Sequence, residues 1–141
     1  MERIRNKIFS VEEANRLLPA LEGLLETLVG MARDATAVRR EIEVLAAIAG
    51  SGASEESPDV RLLRDKERLQ EEALERFRSE LATIGQHGCI LRDLELGLVD
   101  FYTMAQGRVV CLCWRRGEPS IGHWHSLDEG FSGRRPLSEL L

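Results

Sequence analysis

Aromatic side chains are scarce in this 141-residue chain, 5% of the total, and all but Phe9 fall at or after Phe77. The amino-terminal half must therefore build its core from aliphatic residues, as helix bundles do. Cysteine is scarce too. Cys89, Cys111 and Cys113 are odd in number, which excludes a closed disulfide framework. The stretch Met1–Ser10 is charged and lacks an apolar h-region, so the expected setting is the reducing cytoplasm. No run approaches the roughly 20 apolar residues of a membrane-spanning helix. Basic residues are outnumbered by acidic ones, 19 to 24. The formal net charge is −5, which excludes a general nucleic-acid binder and a protein drawn to anionic membranes. Nearly all the basic residues are arginine, which fits GC-rich codon usage and carries no functional weight.

What is present is enough for a folded chain. Hydrophobic residues make up 43% of the sequence, and 141 residues suit a single domain, 1–141. Ser10 and Glu13 have the spacing of a capping box, with Phe9 and Ala14 placed for a hydrophobic staple. A heptad follows: Ala14, Leu17, Leu21, Leu24, Leu28, Met31, Ala35, Val38, Ile42, Leu45 and Ala49 recur in steps of three and four. A second row, Leu18, Leu25, Ala32 and Ala46, widens the stripe beyond what a two-stranded seam uses. The spacing predicts a helix over 10–49, on the order of 55–60 Å long at about 1.5 Å per residue. Pro19 is expected to kink or break its first turns, because it removes the bond to the Asn15 carbonyl.

Residues 50–58, with Gly50, Ser51, Gly52 and Ser54, read as a flexible loop. Ser57 and Pro58 suit the N-cap and first position of a second helix over 58–85, stopped by Gly85. Its stripe of Leu63, Leu74, Phe77, Leu81 and Ile84 is interrupted by Glu67 and Gln70. A short connection makes the two helices an antiparallel hairpin. From Gly88 the pattern turns to short β runs over 89–92, 98–103, 108–114 and 121–125, separated by Gly97, Gln106-Gly107 and Gly117-Glu118-Pro119. The expected fold is α+β: a long antiparallel helical hairpin followed by a four-stranded antiparallel meander over 88–126 and an irregular tail, 127–141.

Several of these segments are familiar in combination. The run from Phe9 to Pro19, Gly97 to Phe101, Leu112 to Glu118, the pair Trp124-His125 and the run from Gly130 to Arg134 together resemble the DUF2203 family of bacterial proteins. The resemblance spans nearly the whole chain, with one departure: Tyr102 stands where that family has proline. It implies the element boundaries and a bacterial origin, and it implies no activity.

A two-residue turn at Gln106-Gly107 sets Phe101 opposite Leu112 and Val99 opposite Trp114, joining apolar residues on one face. The other face then pairs Asp100 with Cys113 and Tyr102 with Cys111. A turn centred on Glu118 adds His123 to the first row and His125 to the second; a one-residue slip would bury both histidines in the core. Directly opposed side chains are about 5 Å apart at Cβ. Asp100, Cys111, Cys113, His123 and His125 are thus candidate ligands of a zinc-like ion, although side chains two apart on a strand are roughly 7 Å apart, so closing them on one ion needs a bulge or curvature. The bland reading leaves the carboxylate and imidazoles in solvent and the thiols as small apolar fillers; free cysteines are usually buried, so something is expected to cover this face. Cys113 as a nucleophile with a histidine base is a weaker reading, and nothing else in the sequence makes a case for an enzyme. Glu118, Arg134 and Arg135 form a second candidate polar site, in which the arginines could take a phosphate or carboxylate; a structural turn and a solvated tail compete with it. Trp114 and Trp124 read as core and His87 as a cap or surface residue.

Two functions compete. The surplus apolar surface of the first helix suggests a self-associating or partner-binding hairpin that forms a homodimer. The alternative is a metal- or small-molecule-binding protein that uses the Cys/His/Asp face.

Overall fold

A computed structural model describes residues 7–50, 54 and 56–140. Ser51 and Gly52 of the expected loop, the stretch 1–6 and Leu141 lie outside the described residues. The elements are helices α1 (Val11–Ala49) and α2 (Pro58–Gln86), then strands β1 (Ile90–Asp93), β2 (Leu98–Ala105), β3 (Arg108–Arg115), β4 (His123–His125) and β5 (Arg135–Pro136). The two helices pack as a hairpin, and the strands form one antiparallel sheet in the order β1-β2-β3-β4-β5. The fold is α+β as expected, with five strands rather than four. The tail adds the fifth, flanked by 3₁₀ turns at Phe131–Gly133 and Leu137–Glu139. The chain divides into two compact units: Met1–Thr27 with Leu81–Leu141, and Leu28–Glu80.

In the first unit the capping box is formed in both directions. Ser10 N donates to Glu13 Oε1 at 3.2 Å and Glu13 N donates to Ser10 Oγ at 3.1 Å. Those bonds, with Lys7 nearby, hold the Glu13 carboxyl below its usual pKa. Phe9 and Ala14 are both buried, as a staple requires. α1 is one continuous helix through Pro19, so of the kink or break expected there, the break does not occur. Pro19 is solvent-exposed, so the Asn15 carbonyl that lacks its N–H donor lies on the side of the helix where water can serve. At the end of α2 the left-handed stop falls at Gly88 (φ +89°) rather than Gly85, because His87 N still reaches the Ile84 carbonyl at 3.1 Å.

The sheet keeps the register read from its turns. Asp100 faces Cys113, Phe101 faces Leu112 and Tyr102 faces Cys111; Cys111, Leu112 and Cys113 then face His125, Trp124 and His123. The Gln106-Gly107 turn has φ of +52° and +76°, the signature of a primed two-residue hairpin. Val99, Phe101, Leu112, Trp114 and Trp124 are buried, as are Leu18, Leu21 and Leu25 of α1. Where β1 ends, the chain near Phe9 takes over the edge of β2. Phe9 N donates to the Tyr102 carbonyl at 2.7 Å, Thr103 Oγ1 donates to the Phe9 carbonyl at 2.7 Å, and the Phe9 and Phe101 rings meet edge-on at 5.2 Å. Tyr102 therefore sits within a paired strand whose carbonyl serves that edge.

In the second unit the two arms of the hairpin face each other, with Lys66 Nζ 2.8 Å from Glu41 Oε2. The half-buried row of α2 is Val60, Leu63, Lys66, Gln70, Ala73 and Phe77. Leu74, expected in that stripe, is 42% exposed, and Ala73 takes its place. Two steps of three residues, Val60–Leu63–Lys66, rotate the inward face away from it. Among the described residues of 28–80, only Leu28 is fully buried.

Gly97 joins β1 to β2 at φ +71°, and a Cβ there would lie 2.5 Å from Arg116 Cβ, while its carbonyl accepts from Arg116 N at 2.8 Å. Gly97→Ala should lower stability by roughly 1–3 kcal/mol through strain and the forced shift of Arg116. The denaturant midpoint should fall with the slope unchanged, whereas Gly107→Ala, where a Cβ would meet open space, should cost less.

Candidate functional site

The polar face of the sheet is organised around one carboxylate. Asp100 lies in the middle of β2, opposite Cys113, and is only 2% exposed. Three groups converge on it. Arg92 Nε donates to Oδ2 at 2.9 Å. His125 Nε2 lies 3.1 Å from Oδ1 and 3.0 Å from Oδ2. The Cys113 sulfur is the third, lying within 4.8 Å of a carboxylate oxygen of Asp100 and of a ring nitrogen of His125.

Each comes from a different piece of local structure. Arg92 is the extra residue of a bulge: Leu91 pairs with Val99 and Asp93 with Leu98, leaving Arg92 without an opposite number. Bulges re-aim side chains, and this one turns a guanidinium from an edge strand onto the buried acid. His125 stands opposite Cys111 on the backbone, yet its ring crosses β3 diagonally to Asp100. β2 and β4 stand two strand spacings apart, roughly 10 Å, so the carboxylate and the imidazole meet by reaching towards each other over β3. Its other nitrogen, Nδ1, lies 2.9 Å from the Ser126 carbonyl oxygen.

The five residues read as one constellation therefore separate. Asp100, Cys113 and His125 come together, with one ligand atom from each lying within 4.8 Å of the others, close enough to serve one ion. Cys111 is buried beside them and interacts with Arg92 and Asp100, but it is not part of that group. His123 turns away, because the tail competes for it. Its Nδ1 contacts Arg134 Nη2 and lies 3.7 Å from Glu118 Oε2.

What covers the cysteine face is the tail itself. A cavity of about 230 Å³ has Asp100, Cys113 and His125 along its inner wall, Arg92 beside them, and Leu127, Glu129 and Phe131 from the tail opposite. The second candidate site, Glu118, Arg134 and Arg135, anchors this cover. Arg134 Nη2 donates to Glu118 Oε2 at 2.7 Å and its guanidinium lies over the Phe131 ring at 4.9 Å. Arg135 donates to Glu129 Oε1 at 3.0 Å and stacks over Trp124 at 5.0 Å. The two arginines are directed at separate carboxylates and rings, so they do not form one anion cradle. Glu118 also accepts from Arg115 N at 2.6 Å, which ties its turn to the tail.

The wiring is unlike that of a cysteine hydrolase. Neither ring nitrogen of His125 is directed at Cys113; one meets the carboxylate and the other a backbone carbonyl. The Cys113 thiol is pushed up to about 12, first by burial and then by the Asp100 charge, and the Cys111 thiol to about 11 for the same reasons. A nucleophilic thiol needs the opposite shift. Arg92 and the tail residues Leu127, Glu129 and Phe131 are the functional side chains that sequence reasoning missed. A lone arginine on a short edge strand gives no signal, since the bulge that aims it leaves no mark in the pattern.

The chain matches the model of the DUF2203 family, described as an uncharacterized conserved protein, over residues 7–137, and it belongs to that family. No curated protein and no solved structure matches it. Among the described residues, no helix is long and apolar enough to cross a membrane.

Burial makes a direct prediction for the thiols. Cys89 is also buried and raised to about 11 by desolvation. In chelator-treated protein at pH 8, a thiol-specific disulfide reagent should label none of the three cysteines on the time scale in which it labels all three in denaturant. Because the folded thiols hold their protons to higher pH than unfolded ones, their contribution to stability is full below about pH 9. It is lost as pH rises through about 11–12, so the denaturant midpoint should fall over that window.

Proposed function

We propose that this member of the DUF2203 family is a cytoplasmic interaction module that self-associates, the hairpin Leu28–Glu80 of one copy pairing with that of a second to form a four-helix bundle. One observation carries this reading: beside the half-buried heptad, apolar residues of both helices stay exposed, and among the described residues of the unit only Leu28 is fully buried. Val44 and Ile48, one turn apart on α1, are 59% and 63% exposed. Leu62 and Leu69, two turns apart on α2, are 46% and 50% exposed. Rows at these spacings line one face of a helix and suit an antiparallel neighbour.

Charge favours a second copy as the occupant. The first half of the α2 arm carries Arg61, Arg64, Lys66 and Arg68 against Asp59, Asp65 and Glu67, a net charge of +1, and the second half carries Glu71, Glu72, Glu75 and Glu80 against Arg76 and Arg78, a net charge of −2. A two-fold axis perpendicular to the helices runs α2 against its own copy in the opposite sense, which sets the slightly basic half of each against the acidic half of the other. A parallel pairing would stack like charges. Full burial of a Leu or Ile side chain contributes about 1.5–3 kcal/mol, so the four half-exposed residues offer a substantial part of what a micromolar dimer requires.

The test is light scattering on the full chain at tens of micromolar. The expected mass is twice the chain mass of 15.9 kDa. Ile48→Glu combined with Leu69→Glu should give a monomer with unchanged helical circular dichroism. A wild-type protein that stays monomeric across this range would contradict the reading.

A further inference from the structure

The His125 ring poses a problem of hydrogen-bond inventory. Its Nδ1 lies 2.9 Å from the Ser126 carbonyl oxygen, which can only accept, so Nδ1 carries the proton. In a neutral ring Nε2 then bears a lone pair, and that lone pair points between both oxygens of a carboxylate, at 3.1 and 3.0 Å. Three acceptor atoms face one another in a site where Asp100 and His125 are each 2% exposed. Such a contact is repulsive unless a cation lies among them. The near-equal distances to the two oxygens are those of a ring aimed at the carboxylate as a whole rather than at one lone pair.

The candidates for that cation are a proton and a metal ion, and the surroundings favour the metal. The third group at the same point is the Cys113 sulfur, with Sγ, Nε2 and a carboxylate oxygen mutually within 4.8 Å. A thiol offers an imidazolium–carboxylate pair at most one weak S–H donor, whereas thiolate, imidazole and carboxylate are the donor set of zinc-like ions. With bonds of about 2.0–2.3 Å, a tetrahedral ion holds its donors on the order of 3.3–3.8 Å apart, so adjustments of up to about an ångström at side-chain ends close the set. The two remaining contacts are those that support metal ligands. The Ser126 carbonyl fixes the histidine tautomer with Nε2 free, and Arg92 Nε holds the carboxylate at 2.9 Å. The cavity of about 230 Å³ leaves room on one side for a water or a small ligand.

We infer that Asp100, Cys113 and His125 form a three-ligand site for a zinc-like transition-metal ion, with a fourth position open to the tail-covered cavity. On binding, the ion takes the place of the Cys113 proton and of any proton held between His125 Nε2 and Asp100 in the metal-free protein, each of which is released to solvent. Three protein ligands with an open position are the composition of a reactive rather than a structural zinc site. The site lies wholly in the unit that carries the sheet, so it stands whether or not the hairpins associate.

The experiment is a cobalt titration of the full chain, produced without a histidine tag and stripped with chelator. One equivalent should bind, with a thiolate-to-cobalt charge-transfer band in the near ultraviolet and the visible bands of a four-coordinate ion. Zinc should displace the cobalt and erase both. Cys113→Ser should abolish the charge-transfer band, Cys111→Ser should keep it, and Arg92→Met should weaken binding by about 10–100-fold without changing the spectrum. Should Cys113→Ser fail to fold, the Cys111→Ser and Arg92→Met titrations still decide the assignment. Absence of a charge-transfer band in the wild type would overturn the inference. So would a band that is lost in Cys111→Ser and kept in Cys113→Ser, or a His125 ring that NMR finds protonated on both nitrogens with zinc present.

Discussion

A carboxylate withdrawn from water must be met by donors and opposite charge, and Asp100 is the point at which this protein meets that demand. The effective penalty for burying an ion is several kcal/mol even after relaxation, so each group around Asp100 is constrained by it. The bulge in β1 exists at the position that delivers Arg92. The ring of His125 crosses a strand to reach the same acid rather than staying with its backbone partner Cys111. The sulfur of Cys113 lies against the same carboxylate, and the tail closes over the result. Remove the acid and the diagonal histidine, the bulged arginine and the covered cavity lose their common reason.

The two units use different physics. The sheet unit is stabilised by buried aromatic and aliphatic side chains on one face and by a polar network around Asp100 on the other. Its tail is tied down by Arg134 on Glu118 and Arg135 on Glu129, pairs whose value comes from partial burial and ring stacking as much as from Coulomb attraction. The hairpin unit has almost no buried core of its own. Its inward rows are half-buried, and Lys66 and Gln70 occupy inward positions of α2. A hairpin built this way gains from a partner that covers its outer rows, and the modest charge difference between the halves of α2, +1 against −2, suits an antiparallel pairing better than a parallel one. In this account the hairpin brings copies together and the sheet carries the chemistry.

Much of this was legible in the residues. The capping box needs only Ser10 and Glu13 at the right spacing, and the α1 heptad is long enough that few alternatives compete. The register of the sheet followed from one turn, Gln106-Gly107, and from matching apolar faces, which placed Asp100 opposite Cys113 and Cys111 opposite His125. What was not legible depends on departures from regular pairing. A bulge is one residue that does not count, so Arg92 gave no signal. Side chains choose between a direct and a diagonal neighbour by what else is near, so the exchange of roles between His123 and His125 required knowing that Arg134 and Glu118 would engage His123. β5 is two residues long, too short for any periodicity. Leu74 was misplaced because Ala73, small and inconspicuous, fills the inward position.

The central claim is that the buried Asp100 charge, rather than its shape, holds the site together. Asp100→Asn keeps the shape and removes the charge, so it is the most direct test. In chelator-treated protein the account predicts a loss of about 3 kcal/mol in denaturant unfolding, at the low end of the range for breaking a buried pair because Arg92 is 45% exposed and can turn to water. Stability equal to or above that of the wild type would contradict it.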